Sequence, residues 1–77
     1  MVSACVLIRT ERGKFDEVSQ RLRQFAGVKR VFTVVGRFDV VVDLESPNLE
    51  VLDETVLRFG KIAGVVFTET LVEIRRD

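Results

Sequence analysis

The side chains that carry most enzymatic chemistry are nearly absent from this sequence, which has no His, no Tyr and a single Cys, Cys5. General acid-base and nucleophilic catalysis need a proton acceptor near neutral pKa or an activated nucleophile. With no base to activate Cys5, carboxylates alone remain. Asp39 and Asp43 lie four residues apart on one face of a predicted strand, a spacing of roughly 13 Å that is too long for a shared metal ion or a two-carboxylate site. They are expected as rim or interface charges. One Cys without His also excludes a zinc site in practice. Arg12-Gly13-Lys14 places one Gly before a predicted helix but lacks the rest of a phosphate-binding loop. The expectation is a chain that is not an enzyme, with no catalytic residue, no metal and no cofactor, working by binding and assembly.

Such a chain must still fold, and 77 residues with 47% hydrophobic and 31% charged content describe one soluble globular domain. Lys plus Arg equals Asp plus Glu at 12 each, so no net field draws the chain to nucleic acid or to an anionic membrane. A core of this size rarely supplies more than about 3 to 5 kcal/mol. Neither a disulfide nor a zinc ion can add to it, which leaves self-association as the common remaining route. No basic leader and no apolar run long enough for a membrane span occurs, and a cytoplasmic location is expected.

Hydrophobic spacing lays out the elements. Residues 2–10 read as a strand and 14–25 as a helix, with Phe15, Val18, Leu22 and Phe25 on one face. Gly27 ends that helix, and 28–35 form a second strand. Gly36-Arg37 reads as a tight reversal into a third strand, 38–45, giving an antiparallel hairpin. Ser46 is the candidate N-cap and Pro47 the first helical position of a second helix running to about Lys61. Leu49, Leu52, Val56 and Phe59 form its inward stripe. A last strand spans 65–75.

A shift of 37 residues superposes Asp16-Glu17 on Asp53-Glu54, Arg21 on Arg58 and Ala26-Gly27-Val28 on Ala63-Gly64-Val65. The chain is an internal duplication of a β-α-β unit. Both halves carry a Glu four residues before an Arg, Glu17 with Arg21 and Glu54 with Arg58, the orientation that favours a helix-surface pair. Two interleaved units with right-handed crossovers predict an α+β, ferredoxin-like βαββαβ fold, a four-stranded antiparallel sheet with two helices on one face. Alternation places Phe38, Val40, Val42 and Leu44 toward the helices, and Val66, Thr68, Thr70, Val72 and Ile74 with them. Val65, Phe67 and Leu71 face outward with Asp39, Val41, Asp43 and Glu45. The repeat adds Val2, Ala4, Val6 and Ile8 from strand one and Arg30, Phe32 and Val34 from strand two. An outward apolar patch of roughly several hundred Å² marks an interface, and a sheet-to-sheet homodimer through Val6, Ile8, Phe32, Val34, Val41, Phe67 and Leu71 is expected. No RNP pattern occurs in 2–6 or 28–35, so RNA is not an expected ligand.

The hairpin Thr33-Val34-Val35-Gly36-Arg37-Phe38-Asp39-Val40-Val41-Val42 resembles that of the ligand-sensing (RAM) domain of the Lrp/AsnC transcription regulators, which carries Gly, any residue, an aromatic and Asp. Val6-Leu7-Ile8 before a Gly-led helix, Phe25-Ala26-Gly27-Val28, and Ile62-Ala63-Gly64-Val65 followed by Thr68-Glu69-Thr70-Leu71 extend the resemblance from end to end. Family Pro-Gly positions read Ala-Gly at Ala26 and Ala63. The helix-turn-helix domain that precedes the sensing domain in those regulators is not found before residue 1. The resemblance therefore implies that 1–77 form a single, stand-alone effector-binding and oligomerisation domain. Such a module makes homodimers that assemble to an octamer or decamer ring, and binds an amino acid or similar small effector between dimers. It modulates transcription indirectly, through mixing with full-length Lrp/AsnC relatives, with no direct DNA binding and no membrane contact. By position the pocket falls on Gly36, Arg37, Phe38 and Asp39 and on Val66, Thr68 and Thr70. Gly36 would let backbone N-H groups approach a ligand carboxylate, Asp39 would pair with an α-ammonium, and the Thr hydroxyls would donate or accept. Each has a plainer role in a turn or a strand, and the competing function is a ring-forming assembly protein without a working pocket.

Overall fold

Alternation along the first strand decides the architecture. In the computed structural model, which describes residues 1–74, β1 (Val2–Thr10) buries Ala4, Val6, Ile8 and Thr10. α1 (Phe15–Leu22), β2 (Val28–Thr33), β3 (Val40–Ser46), α2 (Leu49–Phe59) and β4 (Val65–Val72) follow. The strands pair antiparallel in the order β2-β3-β1-β4, the ferredoxin-like arrangement. Residue 75, the expected end of the last strand, lies outside the described residues. Ala4, Val6, Ile8, Val40, Val42 and Leu44 from the two central strands join Val18, Leu22, Leu52, Phe59 and Ile62 in one core, so both helices cover the same sheet face.

The facing of β1 is the reverse of the expectation. Val6 stands opposite Val42, and Ile8 opposite Val40; all four are fully buried beneath the helices. Val6 and Ile8 therefore cannot belong to the outer face, and Ala4 leaves it with them. The outward residues of β1 are Ser3, Cys5, Leu7 and Arg9. The helices repeat at 37 residues, a shift that carries the core residues Val40, Val42 and Leu44 of β3 onto Ser3, Cys5 and Leu7 rather than onto the core residues Ala4, Val6 and Ile8 of β1, and a slip of one residue moves every side chain of a strand to the other face. β4 keeps the expected faces from Phe67 to Val72. A register shift between Arg9 and Thr10 brings Val65 opposite Thr10, and it packs against the core rather than facing out.

Each helix is shorter than its apolar stripe suggests. After α1 the N-H groups of Gln24 and Phe25 donate to Arg21 and Leu22 at 3.2 Å, and after α2 those of Lys61 and Ile62 donate to Arg58 and Phe59 at 3.1 Å. These three-residue steps tighten both C-termini into 3₁₀-type turns. Phe25 leaves the helix and meets Phe59 edge-on at 4.9 Å. At the other ends Phe15 is 41% and Leu49 60% exposed, so neither reaches the core. The cap of α2 is Asn48, whose side-chain oxygen accepts from the Val51 N-H at 2.8 Å. Ser46 remains the last residue of β3, because a residue before Pro is held extended.

Ser19 on α1 is buried and its Oγ has no hydrogen-bond partner among the described residues. An unsatisfied buried hydroxyl costs about 1 to 3 kcal/mol. Ser19→Ala is expected to raise the urea midpoint, by up to about 1 kcal/mol once the small lost volume is offset; a lowered midpoint would show that the hydroxyl has a partner in solution.

Candidate functional site

The expected two-residue reversal between β2 and β3 is a six-residue connection, 34–39, and β1 explains its length. The Asp39 N-H donates to the Ile8 carbonyl at 2.9 Å, and the Val34 N-H donates to the Asp39 carbonyl at 3.0 Å. The Asp39 carboxylate Oδ2 accepts the Thr10 N-H at 2.8 Å and faces its hydroxyl at 3.4 Å. Arg9 donates from Nε and one terminal nitrogen to the Arg37 carbonyl at 3.0 and 2.8 Å. The end of β1 thus holds the loop at both its middle and its exit, drawing residues out of the hairpin that would otherwise have paired.

This clamp defines the candidate site. Both Thr10 contacts fall on Oδ2, and Oδ1 has no hydrogen bond among the described residues; Asp39 lines a hollow of about 250 Å³ with Phe15, Thr33, Val34 and Val35, which Gly36, Arg37 and Phe38 do not enter. Gly36 adopts φ +147 with open space on its Cβ side. Among the described residues the N-H groups of Gly36, Arg37 and Phe38 have no intramolecular acceptor. An exposed run of backbone donors beside an unspent carboxylate oxygen can hold the two ends of a zwitterion.

The predicted halves of the site come together only in part. Phe38 does not turn into the core as expected. It stacks on Phe67 with centroids 6.4 Å apart, and the Arg9 guanidinium lies 5.8 Å from its ring. The loop therefore reaches the start of β4 across β1, on the outer side of the sheet. Thr68 and Thr70 stand opposite Ile8 and Val6 on the helix side, half-buried at an edge strand, and Val66 is 59% exposed; none of the three meets the loop within one chain. Sequence reasoning missed Arg9 and Thr10, whose part follows only from the β1-β3 register, and Phe15, which its helical spacing assigns to the core.

Asp39 is thus first a structural acceptor. Asp39→Asn, which keeps an oxygen for Thr10, is expected to fold with a midpoint near that of the unaltered chain. Asp39→Ala is expected to lose about 1 to 3 kcal/mol and to speed hydrogen exchange at the Thr10 amide. Equal losses for both variants would mean that the charge itself holds the loop.

The outer sheet face carries the other expected function. Phe32 stands opposite Val41, Val41 opposite Leu7, and Cys5 opposite Leu71. Phe67 and Leu71 are 53% and 50% exposed with no helix over them. Arg30 faces Asp43 in register, and its guanidinium also covers the Phe32 ring at 4.3 Å. Desolvation first, and then the charge of Asp43, push the Cys5 thiol up from its ordinary value, which keeps it protonated and a weak nucleophile at neutral pH.

A duplicated ferredoxin-like domain with a donor-rich loop at one end of its sheet and a bare apolar sheet face is a ligand-binding domain of the regulatory type. The chain belongs to the Lrp/AsnC ligand binding domain family, whose pattern it matches over residues 3–76. It is 30% identical over 74 residues to the HTH-type transcriptional regulator FL11 of Pyrococcus furiosus, a match covering 96% of this chain and 49% of the regulator. The chain spans about half the length of the curated relatives it matches. The solved structure of TTHA0845 from Thermus thermophilus superposes with a TM-score of 0.94 at 29% identity, covering 100% of this chain and 98% of that one. The fold is also that of a feast or famine regulatory protein from M. tuberculosis, solved in complex with L-methionine, with a TM-score of 0.84 at 21% identity over 99% of this chain and 52% of that one. No helix among the described residues is long and apolar enough to cross a membrane.

Proposed function

We propose that this chain is an effector-binding and oligomerisation module that takes an amino acid or similar small zwitterion, and that it acts on transcription indirectly. The observation that carries this reading is the donor-rich loop 34–39, anchored by Arg9 and Thr10 beside the free Oδ1 of Asp39. The methionine complex of a protein with the same fold supports the ligand class. The Gly36, Arg37 and Phe38 N-H groups take the ligand carboxylate and Asp39 takes the ammonium. Val66, Thr68 and Thr70, on the other edge of the sheet, contribute from a second dimer in a ring. The dimer forms through the outer face, with Leu7 and Cys5 taking the places that the repeat assigns to Val6 and Ile8, beside Phe32, Val34, Val41, Phe67 and Leu71.

The test combines light scattering with a thermal-shift screen of the twenty amino acids. A dimer or larger assembly at micromolar concentration is expected, and at least one amino acid at about 100 times its Kd should add about 2.7 kcal/mol of stability. A monomer would sink the reading. An assembly that responds to no amino acid would favour a ring-forming protein without a working pocket, a reading that the structural use of Asp39 by Thr10 also supports.

A further inference from the structure

The helix layer, on the far side of the molecule from the outer sheet face, carries a cationic cleft that the effector site does not use. Two contiguous hollows of about 230 and 410 Å³ share Arg21, Phe25 and Arg58 as walls, and Lys61, Ile62 and Gln24 complete them. Among the described residues no carboxylate lines either hollow. The residues are related by the internal duplication, since Arg21 and Arg58, Gln24 and Lys61, and Phe25 and Ile62 each stand 37 apart. The two halves thus bring the same positions to a common cleft, and two of its three cations are the arginine that both halves of the repeat retain.

The last-turn positions of Arg21 and Arg58 complement their helix dipoles, which accounts for one basic residue on each helix but not for their convergence. The expected partners are also elsewhere. Glu17 lies 3.7 Å from Lys14, and neither Glu17 with Arg21 nor Glu54 with Arg58 forms an ion pair among the described residues. Arg58 rests over the half-buried Phe25 ring at 5.0 Å, which orders its guanidinium at the cleft wall. Arg21 and Lys61 are exposed and form no ion pair among the described residues. Glu54 borders only the neighbouring hollow beyond Arg58.

We infer that this cleft is a second ligand site, for a small molecule bearing phosphate groups and at least two negative charges. Guanidinium forks match phosphate oxygens bidentately, and two of them with one ammonium suit a dianion better than a single carboxylate. Three cations repel the ammonium of an amino acid, so the cleft selects against the effector class assigned to loop 34–39. The combined hollow is of the size that holds a metabolite rather than an extended peptide.

The experiment is an amide-resolved NMR titration of the 77-residue chain with inorganic pyrophosphate, ATP, sulfate and a hexaglutamate peptide as separate arms. Pyrophosphate is expected to shift the amides of Arg21, Phe25, Arg58 and Lys61, to bind with a Kd below about 1 mM, and to weaken as salt is raised. Tighter binding of ATP than of pyrophosphate would assign the phosphate to a nucleotide, and equal binding to a free polyphosphate. Arg21→Gln and Lys61→Gln, both at exposed positions, should each weaken pyrophosphate about five- to tenfold with no change in melting midpoint. Arg58→Lys should retain part of the affinity. Shifts elsewhere in the chain, affinity indifferent to Arg21→Gln, or hexaglutamate binding more tightly than pyrophosphate would each overturn the assignment.

Discussion

Leu71→Asp is expected to leave the domain folded and to convert the proposed sheet-to-sheet dimer into monomers. Leu71 is 50% exposed and stands opposite Cys5 in the outward row that also holds Asp43. In the isolated chain a carboxylate there keeps its water, so the melting midpoint of the monomer changes little. In a two-fold sheet-to-sheet dimer the substitution enters twice. Each copy loses an apolar contact and forces a charge out of water close to the like charge of Asp43. The dimer dissociation constant should rise by at least about 100-fold, equivalent to about 2.7 kcal/mol, and sedimentation at micromolar concentration reads it directly. Val6→Asp, by contrast, places a charge in the fully buried core and should unfold the chain. An unchanged assembly in Leu71→Asp would move the interface off this face.

Gly27→Ala should be among the most damaging single-methyl additions available to this chain. Gly27 sits at φ +89, and a Cβ there would overlap the backbone carbonyl oxygen of Glu45. The same carbonyl region is held close because the Glu45 N-H donates to the Gly27 oxygen at 2.8 Å. Backbone cannot swing aside as a flexible side chain can. Left-handed strain of about 1 to 2 kcal/mol adds to the displacement of β3 from the turn, and a total loss of roughly 3 to 5 kcal/mol is expected, comparable with the stability of a single small core. The control is Gly13→Ala. Gly13 has a similar φ of +79 but nothing within 4 Å of its Cβ position, so it should lose only the strain term. At about 4 to 8 °C per kcal/mol for a domain of this size, calorimetry separates the two variants. Equal losses would mean that the Glu45 contact relaxes freely.

The element order, the hairpin, the facing of β3 and most of β4, and the duplication were legible because each rests on local periodicity and on Gly at fixed places. The facing of β1 was not. Every second residue of β1 from Val2 to Ile8 is apolar, and so are Cys5 and Leu7 between them, so alternation alone does not choose a face. The choice borrows the 37-residue repeat, which holds between the helices but would set the core residues of β1 on Ser3, Cys5 and Leu7, one place from the observed Ala4, Val6 and Ile8. The loop escapes sequence reading for a related reason. Gly36-Arg37 suits a short turn, but Asp39 gives its N-H to Ile8 and its carboxylate to Thr10, and partners 29 residues distant cannot be found from neighbours in sequence. Phe38 follows the same error, since its inward facing assumes that β3 begins two residues before Val40. The N-cap moves from Ser46 to Asn48 because Pro47 restricts the residue before it more strongly than it favours the helix after it.

β1 is a central strand with a neighbour on each side. It is hydrogen-bonded to β3 along one edge and to β4 along the other, with its core residues fixed under both helices. Its Thr10 end grips the loop through Asp39, and its Ser3 end accepts the Glu73 N-H at 2.8 Å. The extended chain between Ser3 and Thr10 places these ends roughly 23 Å apart. The strand is held along both edges, and its pairing with β4 is regular from Ala4 to Arg9. The strand that grips the loop at Thr10 is thus continuous with the opposite end of the sheet, where the first and last described residues of the chain leave side by side.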